Sequence, residues 1–203
     1  MLEEYNMTQT TLKIIALYRN NYKKSLHLRE IARETKVDVK AVQLQLQKLE
    51  SMNVLSSNVR GRNKEYTLNQ SNIITKYFLS MAEAFTAITY TQKNFTLKKI
   101  INQLDPKISD PIILFGSFAK NTQTTESDID LLIITDKKID RKTINTISSL
   151  VNRDINIKSA TEEQFLNGLR QKDPLIGEVI VDHIVLKGAD KICDILWQYY
   201  ADQ

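Results

Sequence analysis

The stretch "IILFGSFAKNTQTTESDIDLLII", Ile112 to Ile134, decides the fold of the C-terminal half. Ile112 to Phe115 is a short continuous apolar run, the pattern of a strand covered on both faces. It stops at Gly116-Ser117, polar residues fill Lys120 to Ser127, and a second apolar run, Leu131 to Ile134, begins directly after Asp130. Side chains alternate along a strand, so Asp128 and Asp130 share a face with α-carbons about 7 Å apart. Carboxylates so placed can converge on one cation. Hard oxygen ligands suit Mg²⁺, which keeps several waters and takes substrate phosphates for its other positions. Gly116 lets the backbone come close to an anion, and N–H groups around Ser117 at a helix start would hold the phosphates that the metal bridges. A nucleoside triphosphate with magnesium satisfies both halves.

Working outward, "DINIKSATEEQF" predicts a strand over Ile155–Ala160 that leads into a helix capped by Thr161, with Gln164 three residues on. The tail "HIVLKGADKICDILWQYY" reads as a strand, a turn at Gly188 and a closing helix. On the other side, Asn69-Gln70-Ser71 can cap a long helix whose Ile73, Ile74, Tyr77, Phe78, Met81, Phe85 and Ile88 trace a wide apolar face, with a second piece from Phe95 to Leu104. So apolar a helix needs a partner, either the N-terminal domain or its own copy in a homodimer.

With Gly116-Ser117 and Ser127-Asp128-Ile129-Asp130-Leu131 at this spacing, the segment from Ile112 to Leu186 resembles the DNA polymerase beta-type nucleotidyltransferase superfamily, specifically its minimal nucleotidyltransferases. The resemblance implies that Asp128 and Asp130 hold two divalent metals, Mg²⁺ or Mn²⁺. It assigns the nucleoside triphosphate to Gly116, Ser117, Lys120 and Ser127, and the chemistry to transfer of a nucleotidyl group onto a hydroxyl. It also implies a third acid on a later strand. Two departures stand out. Lys120-Asn121 replaces the family's usual Arg-Gly, and lysine still suits a phosphate. The position that aligns with the third acid is Asn156, whose amide brings no charge and cannot take a proton; Asp154, two residues earlier on the same side, is the nearby substitute. With Asn156 in that slot, nucleotide binding persists while turnover falls, since loss of a general base is commonly worth roughly 10² to 10⁴ in rate. Two functions therefore follow: an enzyme, or a DNA-binding regulator whose nucleotidyltransferase-like domain only senses nucleotide.

In the N-terminal third, Leu12, Ile15 and Ala16, then Leu28, Ile31 and Ala32, recur at helical spacing. Val37-Asp38 supplies a turn and an N-cap, after which Val42, Leu46 and Leu49 fall on one stripe. Val54–Val59 and Lys64–Leu68 then read as two strands joined by Arg60-Gly61-Arg62-Asn63. Three helices and a basic hairpin predict a winged helix-turn-helix. The stretch "LREIARETKVDVKAVQLQLQKLESMNVL" resembles the winged-helix families of transcription regulators. That resemblance implies that the helix Val39–Met52 enters the major groove of duplex DNA and that Arg60, Arg62 and Lys64 touch phosphate or the minor groove. Lys40, Gln43 and Gln47 lie on its exposed face, and glutamine can pair bidentately with adenine. Leu44 on that side fits either a thymine methyl or a protein partner, so a docking or dimerisation role stays open.

Composition agrees with two small domains. The chain has 203 residues and a net charge of +4, and the excess is uneven: residues 1–70 hold 12 Lys+Arg against 7 Asp+Glu, whereas 71–203 hold 16 against 17. That asymmetry points the N-terminal part at a polyanion. A single cysteine, Cys193, excludes an internal disulfide or thiolate metal site and fits a reducing compartment. No basic leader or membrane-spanning apolar stretch is visible, so the expected location is cytoplasmic, with no membrane partner. His27 and His183 belong to no recognisable triad and read as structural. The expected fold is α+β: a winged helix-turn-helix at 1–70, a joining helix at 71–104 and a nucleotidyltransferase-like mixed sheet with flanking helices at 105–203.

Overall fold

The computed structural model describes residues 7–61, 63–104 and 106–203. The chain divides into two compact units, Met1–Glu83 with Tyr200–Gln203, and Ala84–Tyr199.

The first unit begins with α1, Gln9–Ala16, capped by Thr8 through a reciprocal pair of bonds with Thr11. A two-residue strand β1, Leu26–His27, leads into α2, Leu28–Thr35, which ends at Lys36 in the left-handed region. Asp38 then caps α3, Val39–Ser51, accepting from the N–H groups of Lys40 and Ala41. The chain returns as β2, Leu55–Arg60, and β3, Asn63–Leu68, in an antiparallel sheet of order β1-β3-β2. Gly61 at φ 62 makes the tight reversal between them. Ile14, Ile15, Ile31, Leu46 and Leu49 form the core, and the Tyr18 hydroxyl donates to the Tyr66 carbonyl at 2.9 Å. Glu83, fully buried, is compensated by Arg19 at 2.7 Å. β1 escapes sequence reading because two residues carry no period.

The helix α4, Ile73–Lys93, is followed by α5, Phe95–Leu104. Asn72, rather than the three residues before it, supplies the cap, its side-chain oxygen accepting from the Ile74 N–H. The buried face also differs from expectation. Phe78 is buried with Thr75, Leu79, Ala82 and Glu83, while Ile73, Tyr77, Met81 and Ile88 are exposed. α4 is apolar around much of its circumference, so hydrophobicity alone does not select the side that packs.

The second unit is built on a mixed sheet of order β6-β5-β4-β7. β4, Ile112–Phe115, is wholly buried and pairs antiparallel with β5, Ile129–Ile134, and with β7, Ile184–Lys187. Between β4 and β5 lies one helical turn, α6, Gly116–Ala119. From β5 the chain crosses over through α7, Arg141–Val151, to β6, Ile155–Ala160, which pairs parallel to β5. α8, Glu162–Gln171, α9, Pro174–Val181, and α10, Ala189–Ala201, complete the fold. Leu97, Ile100 and Leu104 of α5 pack with Ile112, Leu114, Leu131, Ile133 and Ile147 in one core. No helix among the described residues is long and apolar enough to cross a membrane.

Candidate functional site

The bend after β4 is made by Gly116 at φ 69, a conformation glycine takes without penalty. A Cβ built there would stand 2.4 Å from Oδ2 of Asp130, so this glycine also makes room for a carboxylate. Asp130 lies between Phe115 on one side and Asn156 on the other, its partners across β4 and β6. Asp128 sits just before β5, and its neighbour Ile129 donates its N–H to the Asp154 carbonyl at 2.9 Å. The period-two alternation puts both acids on one face, and one atom marks where they meet. Nδ2 of Asn156 donates to Oδ2 of Asp128 at 3.1 Å and to Oδ1 of Asp130 at 3.3 Å.

Asp128 is exposed and Asp130 half-buried. Burial pushes the Asp130 carboxyl above the ordinary aspartate value, the Asn156 hydrogen bond pulls it down, and the charges of Asp128 and Glu178 push it up again. Glu178, on α9, is a site neighbour that sequence reasoning missed. Its Oε1 holds Nζ of Lys120, the residue that ends α6, at 2.7 Å, and that bond raises the lysine's pKa.

The loop that delivers Asp128 is held by its own polar groups. Ser127 Oγ accepts from the Thr124 N–H at 2.8 Å, so the Ser127 hydroxyl serves the loop's own turn. Arg153 Nη1 donates to the carbonyls of Thr124 at 3.2 Å and Ser127 at 3.1 Å, and its guanidinium lies 5.7 Å from the Phe118 ring centroid. Tyr90 donates its hydroxyl to the Phe118 carbonyl on the same turn. Beside Asp128 opens a polar recess of about 390 Å³ whose lining includes Ser127, Ser148, Asn152, Arg153 and Asp154. Asp154 is exposed there at the start of β6. The structure thus brings together Gly116, Asp128, Asp130 and Asn156, with Lys120 turned to Glu178. Among the described residues no three His, Cys, Asp or Glu side chains group as a metal site.

In the first unit, Lys40, Gln43 and Gln47 are exposed on α3, as is Leu44, which leaves 52% of its surface to solvent. A groove of about 1010 Å³ is lined by Arg29, Arg33, Gln43, Asn63, Lys64 and Tyr66, among others. Arg29 and Arg33 are basic residues of that groove that periodicity hides, because on α2 they read as ordinary solvated positions. Lys64 pairs with Glu50 at 2.8 Å and lies 5.2 Å from the Tyr66 ring centroid. The Glu50 bond raises the Lys64 pKa. The Arg60 side chain and the whole of Arg62 lie outside the described residues.

Residues 96–192 match the family model described as "Polymerase beta, Nucleotidyltransferase". No curated protein sequence matches the chain. Among solved structures, the chain is similar to a toxin-antitoxin with AMP-PNP, at 20% identity and a TM-score of 0.36 over 52% of this chain and 86% of that one. It is similar at 19% identity and a TM-score of 0.35 to MepR, a transcription regulator of the Staphylococcus aureus multidrug efflux pump MepA, over 52% of this chain and 82% of that one. A mutant of the toxin-antitoxin MntA-HpeT gives 17% identity and a TM-score of 0.35 over 52% of this chain and 85% of that one. Likeness at these scores says nothing of activity. The family match, covering α5 through the start of α10, supports a nucleotidyltransferase-type domain in the second unit.

Proposed function

We propose that the second unit binds a magnesium–nucleoside triphosphate and transfers its nucleotidyl group to a hydroxyl acceptor, and that the first unit is a winged helix-turn-helix that contacts duplex DNA. The observation that carries the site is the single Asn156 nitrogen within 3.3 Å of both Asp128 and Asp130. The two acids converge on one point, next to a bend where backbone can approach an anion. Those carboxylates, with the Asn156 amide oxygen if the amide turns over, fit one divalent cation whose other positions go to water and phosphate oxygens. Bound there, such a cation would offset negative charge on the α-phosphate and on the pyrophosphate that leaves as the acceptor hydroxyl takes the nucleotidyl group. Gly116 and Ser117 present backbone N–H groups to the phosphates, and Lys120 offers a point charge.

The reading is tested by incubating the protein with labelled ATP, CTP, GTP and UTP, magnesium and candidate acceptors. Labelled product that disappears in Asp128→Ala supports it. Uptake of no nucleotide at millimolar concentration removes it.

A second reading rests on Asn156, which is the strand partner of Asp130 and occupies the slot where the resemblance implies a third acid. In that case the domain binds nucleotide without turnover and changes how the first unit engages DNA, a coupling that must appear in both affinities. Nucleotide binding without product, together with a DNA affinity that shifts when nucleotide is added, selects this reading. DNA binding itself is supported by three helices with a basic hairpin and by the arginines of the α2 groove. Changing Arg60 and Arg62 together to Ala lowers the salt slope of DNA binding by about 0.9 for each phosphate that is no longer neutralised; an unchanged slope removes the hairpin from the interface.

A further inference from the structure

Asn156 does more than stand where an acid is missing. Its amide nitrogen already satisfies one oxygen of each carboxylate, at 3.1 and 3.3 Å, at the point where the two acids converge. A cation entering alone must turn that amide away, give up water that Mg²⁺ releases reluctantly, and accept only two negative charges in return. The next strand position on the same face, Lys158, carries a positive charge that acts on Asp130. A triphosphate changes the balance because it arrives with its own anionic oxygens on the metal.

We propose that Asn156 is an amide clasp that keeps free divalent cation out of the Asp128–Asp130 pair, so that metal loads only as its complex with a nucleoside triphosphate. The clasp sets the order of binding at the site described above and rests on that reading of it. It also gives the domain a reason to respond to nucleotide instead of to cellular magnesium. The neutral side chain at 156 thereby has a role in both the enzymatic and the sensing reading.

The test measures protein-bound Mn²⁺ by equilibrium dialysis of the full chain against Mn²⁺ alone and against Mn²⁺ already complexed with a β,γ-imido analogue of ATP, so that chelation by the analogue in solution is not counted as uptake. The wild type is expected to leave Mn²⁺ free at tens of micromolar and to take it up once the analogue is present. Asn156→Asp, which adds a third carboxylate, is expected to bind Mn²⁺ alone about tenfold more tightly. Asn156→Ala removes the clasp and adds no charge, so it keeps the test open should the added carboxylate unfold the sheet, and it is expected to bind Mn²⁺ alone more tightly than wild type. Equal uptake of Mn²⁺ by the wild type with and without the analogue overturns the clasp and leaves the nucleotide site standing. Unchanged uptake of Mn²⁺ alone in Asn156→Ala overturns it as well. Failure of the wild type to take up Mn²⁺ in either condition overturns the site itself.

Discussion

Gly116 and Asp130 are packed so closely that no other residue fits at position 116 without moving the carboxylate: an added methyl group would lie 2.4 Å from Oδ2 and 3.2 Å from Cγ. The backbone there is also left-handed, at φ 69. Gly116→Ala is therefore penalised twice. The conformation alone costs about 1–2 kcal/mol, and the displaced Asp130 no longer meets Asp128. Gly61→Ala provides the comparison, since Gly61 has φ 62 but nothing within 4 Å of its added methyl. Denaturant unfolding should give a larger loss for Gly116→Ala than for Gly61→Ala, and calorimetry should show loss of magnesium–nucleotide uptake in Gly116→Ala alone. Full uptake by Gly116→Ala would mean that the bend does not position the acid pair.

Lys120 offers a second test. Its ammonium is held by Glu178 at 2.7 Å, with both side chains partly exposed. A triphosphate that engages Lys120 must take it from Glu178. Glu178→Gln removes that competitor and a negative charge that acts on Asp130. Nucleotide affinity should rise by about two- to fivefold, the range an exposed ion pair commands. Lys120→Ala should lower it, and the double variant should resemble Lys120→Ala. Equal affinity in Glu178→Gln and wild type by calorimetry would mean that Lys120 does not reach the phosphates.

What could be read in the chain is what its local chemistry fixes. The capping pair Thr161 and Gln164 starts α8, and the run Ile155–Ala160 is β6 to the residue. The common face of Asp128 and Asp130 follows from strand alternation. The hairpin strands begin one residue away from their expected starts, and α3 ends one residue before its expected end, because terminal residues are fixed by hydrogen bonds that composition does not encode. Glu178 was not legible. It sits alone in the apolar stretch "PLIGEVIV", where a single acid reads as a solvated position, and only the packed fold carries it to Lys120. Arg153 is hidden for the same reason: its partners Thr124 and Ser127 are far from it in sequence.

That arginine is a positioning residue for the loop before β5. It donates to two loop carbonyls from one guanidinium nitrogen and covers Phe118. Arg153→Ala should cost about 1–2 kcal/mol through the two missing bonds. It should also speed amide exchange across Thr122–Ser127 and weaken nucleotide binding through Asp128. Arg153→Lys should recover little, since an ammonium lacks the flat guanidinium that lies over the Phe118 ring while one of its nitrogens reaches both carbonyls. Unchanged exchange in the loop of Arg153→Ala would show that the turn around Ser127 holds itself.

The acid pair also sets a conflict between stability and function that pH exposes. Burial, with the charges of Asp128 and Glu178, raises the folded pKa of Asp130 above the ordinary 3.8, despite the Asn156 hydrogen bond. Between 3.8 and the raised value the folded chain binds more protons than the unfolded one, so stability from this group falls as pH rises through that interval. Above it, the ionised carboxylate is a constant penalty. Asp130 is only partly buried, so after solvent screening the penalty is below about 1 kcal/mol. Asp130→Asn removes the charge and keeps an acceptor for the Asn156 amide. In the presence of a chelator it should unfold at higher denaturant concentration than wild type at neutral pH, and the gap should close as pH falls below the ordinary aspartate range. The same variant should bind no magnesium–nucleotide. An Asp130→Asn protein that is less stable than wild type at neutral pH would mean that the carboxylate is favourably solvated where it stands, and that the pair is not held together against its own repulsion.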